Sequence, residues 1–324
     1  MLSLPFVAGQ WLELRKQSTL PEGWEIINGS GDTNVILIAG GQVWTGGRDG
    51  VVLFDASTRA RLRVPVELAP LRHVSALKLD PTGTLWVAHD AGVTRGDLET
   101  ENWQTLPPAL LGLGGAARAI LPEPDGTIWI GGVGGLVAWR EGKIIRQNLG
   151  QSRLDPVSAL LRDDRGRLWV GSDAPHRGGL VRIETGNVTD LTEHLPHSSV
   201  NDMLQVEDGT LWVATGFAGR GGVATLKPSG WNRPQGTLLL QSAKARSLYM
   251  DQDEVLWLGH EYDGASLLDG EAWLQLNASD GLAGEEVKVV RQDAQSAYWI
   301  GTASGINVIA AGQWRRAIED RNTK

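Results

Sequence analysis

The chain says nearly the same thing seven times. Around Trp169 it reads Gly166-Arg-Leu-Trp-Val-Gly-Ser172. Its counterparts are Gln42-Val-Trp-Thr-Gly46, Thr84-Leu-Trp-Val-Ala88, Thr127-Ile-Trp-Ile-Gly131, Thr210-Leu-Trp-Val-Ala214, Val255-Leu-Trp-Leu-Gly259 and Ala297-Tyr-Trp-Ile-Gly301. The tryptophans (Trp44, Trp86, Trp129, Trp169, Trp212, Trp257 and Trp299) stand 42, 43, 40, 43, 45 and 42 residues apart. Self-similarity at this period is the signature of four-stranded propeller blades. The predicted fold is all-β: a seven-bladed β-propeller with four antiparallel strands per blade. Length alone would permit two domains, but seven units closing on themselves make residues 1–324 one domain.

Within a repeat the fourth unit is the clearest. Val157-Ser-Ala-Leu-Leu-Arg162 reads as the innermost strand and Asp163-Asp-Arg-Gly166 as a hairpin turn. The Trp segment is the second strand, Gly179-Leu-Val-Arg-Ile-Glu184 the third, and Val188-Thr-Asp-Leu-Thr192 the fourth. No helical period of useful length is read anywhere. In blades six and seven the turns Asp251-Gln-Asp-Glu254 and Asp293-Ala-Gln-Ser296 lack the glycine, so they are expected to differ. Two residues after each Trp stands Gly46, Ala88, Gly131, Gly171, Ala214, Gly259 or Gly301, which predicts close approach by another backbone or a neighbouring Trp. A propeller joins its first and last blades by lending a terminal strand; residues 10–16 are read as that strand, with 312–319 as a rival.

Forty-two glycines and 14 tryptophans against 3 Tyr and 3 Phe fit many tight turns and one packing unit set down again in each repeat. A net charge of −8 argues against nucleic acid or an anionic membrane as a general partner. The absence of cysteine excludes disulfides and thiolate metal sites. The N-terminus lacks the pattern of a signal peptide and no apolar run is long enough to span a bilayer. As written, the chain reads as cytoplasmic and soluble, without membrane insertion; it would be periplasmic if an export signal had been removed.

The pattern Asp-x-x-Gly-x-Leu-Trp-Val-Gly, then Gly-Leu, seen from Asp163 to Leu180, and the link His194-Leu-Pro-His-Ser-Ser-Val200 resemble the two-component regulator propeller repeat. The resemblance covers roughly residues 34–318. It implies a ligand-sensing module of the kind that stands before histidine kinases. Kinase motifs are absent from this sequence, so the binding half is what the resemblance implies here.

Strand order gathers the links between blades and the loops between second and third strands at one end of the ring. Eleven residues before each Trp, blades two to seven carry Ser75, Arg118, Ser158, Asn201, Arg246 and Lys288, each polar within an apolar strand, and expected to face the central channel. Blade one is a residue short and is left out. Blades four and five have loops four residues longer than the norm; these supply Arg177 and Arg220, and Arg48 holds the same place in blade one. Asp49, Asp90, Asp173, Asp202, Glu261 and Asp263 lie among them. The candidate site is thus a mouth of Arg118, Asn201, Arg246, Lys288, Arg177, Arg220, Arg48 and His260. It suits a protein partner or a small anionic ligand through forked arginine hydrogen bonds. The competing reading is a solvated rim whose Arg and Asp pair with one another.

Catalysis finds no motif. There is no Gly-x-Ser-x-Gly elbow, and Gly112-Leu-Gly-Gly115 and Gly131-Gly-Val-Gly-Gly135 lack the helix a phosphate site needs. The Asp-x-x-Gly turns lack the alternating ligands of calcium loops. No metal and no cofactor are expected. A similarity of architecture to the virginiamycin B lyase propellers implies His260 with Glu261, or His89 with Asp90, as bases beside a metal. That family's Ile-Gly-Arg-Ile third strand is missing here. A third reading is a structural subunit whose edge strands, bearing Trp103, Trp231, Trp273 and Trp314, are covered by a partner.

Overall fold

The computed structural model describes residues 20–147, 155–174 and 177–323. Seven four-stranded antiparallel sheets follow one another, each in simple sequential order except the last. Blade four runs Val157–Arg162, Leu168–Ser172, Gly179–Glu184 and Asn187–Asp190. The second strands are buried along their whole length in blades three, four, six and seven, because both faces of each sheet are covered by neighbouring blades.

Seven hydrophobic clusters fill the seven interfaces between blades. The one joining Ile36, Val43 and Phe54 of blade one to Val289, Trp299 and Ile306 of blade seven closes the ring. The outer strand of blade seven is Trp24–Ile27, paired antiparallel with Gly305–Ile309. This corrects the expected closing strand: 10–16 lie outside the described residues, and the outer place is already filled. The rival stretch is helical, from Gln313 to Thr323, which also corrects the expectation of no helix. Trp314, Ala317 and Ile318 of this helix are buried in the cluster of blades six and seven, at the i, i+3, i+4 spacing of one helical face.

The repeated Trp is held in two ways. In blades two, four, six and seven its indole N–H donates to the turn aspartate six residues earlier: Trp86 to Asp80 (2.8 Å), Trp169 to Asp163 (2.7 Å), Trp257 to Asp251 (2.9 Å) and Trp299 to Asp293 (2.9 Å). The other oxygen of each carboxylate accepts two backbone N–H groups of the turn, as Asp163 does from Arg165 and Arg167. These indoles are at most 1% exposed, against 8% for Trp129 and 9% for Trp212, which have Glu123 and Val206 at that place. In these four blades the carboxylate satisfies the N–H of a completely buried indole. The turns of blades six and seven do not differ as expected: Glu254 and Ser296 adopt φ of 60°, the left-handed conformation Gly166 takes at 72°.

Second, the Trp meets an aromatic ring of the blade that follows. Trp86 packs on Trp139 (5.1 Å between centroids), Trp169 on Trp231, Trp212 on Trp273, Trp257 on Trp314 and Trp299 on Phe54. Three of the four outer indoles considered as partner contacts are thus packed inside the ring.

The small residue after the Trp faces the next blade's inner strand rather than another Trp. A methyl group on Gly46, Gly131 or Gly171 would collide with Val74, Val157 or Val200, one on Gly259 with the Val287 carbonyl, and one on Gly301 with Thr33. Where the repeat has Ala88 and Ala214, the equivalent neighbours are Ala117 and Ala245, each pair within one core cluster. Glycine stands against a branched residue and alanine against alanine. Gly171→Ala is therefore expected to destabilise the protein by about 1–3 kcal/mol through overpacking. Adding Val200→Ala should recover part of that loss; strictly additive effects in chemical denaturation would contradict the pairing.

Candidate functional site

Each inner strand is irregular at one register. In blades one and three to seven the pairing with the second strand skips a residue: Asn34, Arg118, Ser158, Asn201, Arg246 and Lys288 are the bulged positions. In blade two Ser75 stands just ahead of the strand and its N–H reaches Ala88. A bulge re-aims its side chain, and these seven side chains turn to the axis. All seven line a cavity of about 510 Å3 at the mouth of the channel, together with His73, Asp90 and Asp173.

The seventh member, Asn34, escaped the sequence reading for a local reason. Blade one turns its first hairpin on Gly40-Gly41 alone, both with positive φ, so Leu37 rather than residue 36 opposes Trp44. Counting from that strand partner instead of from the Trp brings Asn34 into line.

The ring does two kinds of work. Four side chains brace the next blade: Asn34 donates to Val74 O (3.4 Å), Ser75 to Ala117 O (3.1 Å), Ser158 to Val200 O (2.7 Å) and Asn201 to Ala245 O (2.7 Å). Each acceptor is the residue just before the next blade's ring member, so the bulge supplies both donor and acceptor. The three cations pair with carboxylates. Arg118 binds both oxygens of Asp173 at 2.8 and 2.9 Å. On the opposite arc an alternating run links Lys244, Glu261, Arg246, Glu286, Lys288 and Asp32. Lys244 and Arg246 lie 2.8 and 2.9 Å from Glu261, Arg246 also contacts Glu286, and Lys288 lies 2.6 Å from Asp32. Glu261 additionally accepts the Gly219 N–H at 2.8 Å, tying the long loop of blade five to blade six.

Of the eight residues expected at the site, Arg118, Asn201, Arg246 and Lys288 line the cavity. Arg48, Arg177 and Arg220 are exposed and lie outside its lining; Arg48 is 3.7 Å from Asp49. His260 is fully buried in its own blade, with Nε2 2.8 Å from Ser266 Oγ. Burial pushes its pKa down to about 4, against the pull of Asp263, so the ring is neutral near pH 7. His89 is enclosed in the same way against Thr94. Among the described residues no three His, Asp or Glu side chains converge as a metal would require; His176 lies outside the described residues.

Comparison with known proteins adds the following. The two-component regulator propeller family matches residues 153–174 and 194–217. The two stretches, one in blade four and one in blade five, are similar to that repeat. No curated protein matches the sequence. Among solved structures, this propeller is similar to the extracellular domain of a protein assigned as a hybrid two-component system of B. thetaiotaomicron. The two share 19% identity at a TM-score of 0.71, over 89% of this chain and 42% of that one. The propeller chain therefore spans less than half the length of that structure. It is also similar to YCF48 bound to D1 peptide (15%, TM-score 0.67, 90% and 98% covered) and to virginiamycin B lyase from Staphylococcus aureus (16%, TM-score 0.61, 89% and 98%). At these identities the likeness is one of fold. No described helix is long and apolar enough to cross a membrane.

The two arcs respond differently to acid. Burial raises the Asp173 pKa, with Arg118 pulling it back only in part. Burial also lifts Glu261, but Lys244, the Gly219 amide and Arg246 outweigh it and hold the pKa below the ordinary glutamate range. A lowered carboxyl contributes stability above its unfolded pKa and loses it as pH falls through the folded one; a raised carboxyl takes its proton early. Acidification should free Arg118 before Arg246. Carbon-13 titration of the side-chain carboxyls checks this, and a Glu261 midpoint at or above that of Asp173 would contradict it.

Proposed function

We infer that the protein is a non-catalytic binding propeller that recognises a protein segment at the channel mouth. The observation that carries this is the convergence of seven side chains, six of them at bulges and three of them cations, on one solvent-open cavity. An acidic segment can exchange with Asp173 on Arg118 and with Glu261 and Glu286 on Arg246, replacing one charge-assisted hydrogen bond by another. Such exchange favours specificity over raw affinity, since each cation already has a partner in the free state. The similarity to YCF48 bound to D1 peptide supports a peptide-sized occupant, and the family match supports a sensing module.

The test is a screen of acidic peptides against the whole chain, followed by Arg118→Ala and Arg246→Ala. Each variant is expected to weaken the selected peptides at least about tenfold, roughly 1.4 kcal/mol, with an unchanged circular dichroism spectrum. Parent-like binding by both variants would remove the mouth as the site.

A further inference from the structure

Beyond the bulged ring the channel continues into a second, smaller space of about 170 Å3. Its wall shares the seven ring side chains, Arg118, Arg246 and Lys288 among them, and adds Val35, Ile120 and Leu160 with Lys78 of blade two, Asp202 of blade five and Arg291 of blade seven. Lys78 and Arg291 occupy equivalent positions, opposite Trp86 and Trp299, where the other blades carry four leucines and Tyr249. Blades two and seven flank blade one, so both cations stand on the same side of the channel.

We propose that this inner chamber is a binding site for one small oxyanion, a carboxylate or phosphate group held between Lys78 and Arg291. Every cation of the mouth has a carboxylate partner: Arg118, Lys244, Arg246 and Lys288 against Asp173, Glu261, Glu286 and Asp32, four charges of each sign. Lys78 and Arg291 do not. Among the described residues neither has a carboxylate within 4.0 Å. The Arg291 guanidinium donates to the carbonyl of Val290 at 2.7 Å and lies 5.5 Å over Tyr249. Asp202 attracts both from a distance without forming a close ion pair; its two oxygens accept the N–H groups of Met203 and Leu248, each at 2.9 Å.

Arg118, Arg246 and Lys288 also line the chamber but are each paired with a carboxylate of the mouth, so Lys78 and Arg291 against Asp202 leave positive charge in excess. Crowding by the surrounding wall and the nearby Arg291 hold the Lys78 ammonium below its ordinary pKa, against the pull of Asp202, although the side chain keeps contact with solvent. An oxyanion between the two removes that repulsion and takes the forked N–H groups of the arginine. The limited volume suits a single anionic group rather than a chain segment. The inference does not rest on the mouth reading, because Lys78 and Arg291 line the inner chamber and not the mouth.

Calorimetric titration of the whole chain with inorganic phosphate, and separately with sodium acetate, at fixed ionic strength tests it. The parent is expected to bind at least one of these probes saturably, one per chain, and the stronger probe identifies the preferred oxyanion. Lys78→Met and Arg291→Met should each weaken binding at least roughly tenfold, whereas Arg61→Ala, on the exposed outer strand of blade one, should leave it unchanged. Leucine at the same place in other blades makes the methionine variants compatible with folding, which circular dichroism verifies. Absence of saturable binding to the parent overturns the proposal, as does parent-like binding by both methionine variants. Loss in Arg118→Ala with retention in Lys78→Met would move the anion to the mouth and overturn it equally.

Discussion

The contact between the small residue that follows each Trp and the next blade's inner strand sets the spacing of the entire ring. Gly171 against Val200, or Ala88 against Ala117, fixes how near two sheets come. That distance, kept seven times, brings blade seven back against blade one, where Gly301 meets Thr33. The tryptophans fill the rest of each interface, and in four blades a turn aspartate satisfies the buried indole. Each of four carboxylates satisfies an indole and two turn amides together, so hairpin geometry and interface packing are coupled through one side chain.

The channel is a consequence of that spacing. Because the inner strands approach one another around an axis, a single bulge in six of them and Ser75 at the entry of the other are enough to gather seven side chains from residues 34 to 288. The bulge also breaks the ladder where a neighbour's hydroxyl or amide can take the freed carbonyl, as Ser158 does with Val200 O. Binding capacity and ring integrity therefore share the same register. Where the side chain is short it braces the next blade; where it is a long cation it reaches outward to the loops. Near the long loop of blade five, Glu261 joins these two roles by holding Gly219 as well as Lys244 and Arg246.

Much of the architecture was legible in the sequence because the repeat makes each unit's burial pattern a copy of the next. The polar register of Arg118, Asn201, Arg246 and Lys288 was legible for the same reason. What escaped depended on contacts between units or on a local change of length. Asn34 was hidden by a two-residue hairpin. Trp24–Ile27 was hidden because Gly9-Gln-Trp11 and Gly312-Gln-Trp314 carry the same short signature as an outer strand. The helical stripe of Trp314, Ala317 and Ile318 could have separated the last of these. His260 was misjudged because sequence gives no sign of depth: its position, three after the Trp, lies inside the sheet, where Ser266 meets it. Neutralisation of the mouth by Asp173, Glu261, Glu286 and Asp32 was open as an alternative, but pairing across blades is not readable from spacing. Lys78 and Arg291 carry no motif at all; only a closed ring places them on one side of one chamber.

Closure by the N-terminal strand is the claim everything else relies on, and the chain's lack of cysteine makes it directly measurable. Glu25 lies opposite Val308 across the closing pair, and directly opposed strand residues have Cα separations of about 4.5–5.5 Å, within disulfide reach. In a Glu25→Cys/Val308→Cys variant the account predicts rapid intramolecular disulfide formation under mild oxidation, with native circular dichroism and a raised unfolding temperature. Failure to form the bond in a folded variant, or a bond formed only between molecules, would contradict it.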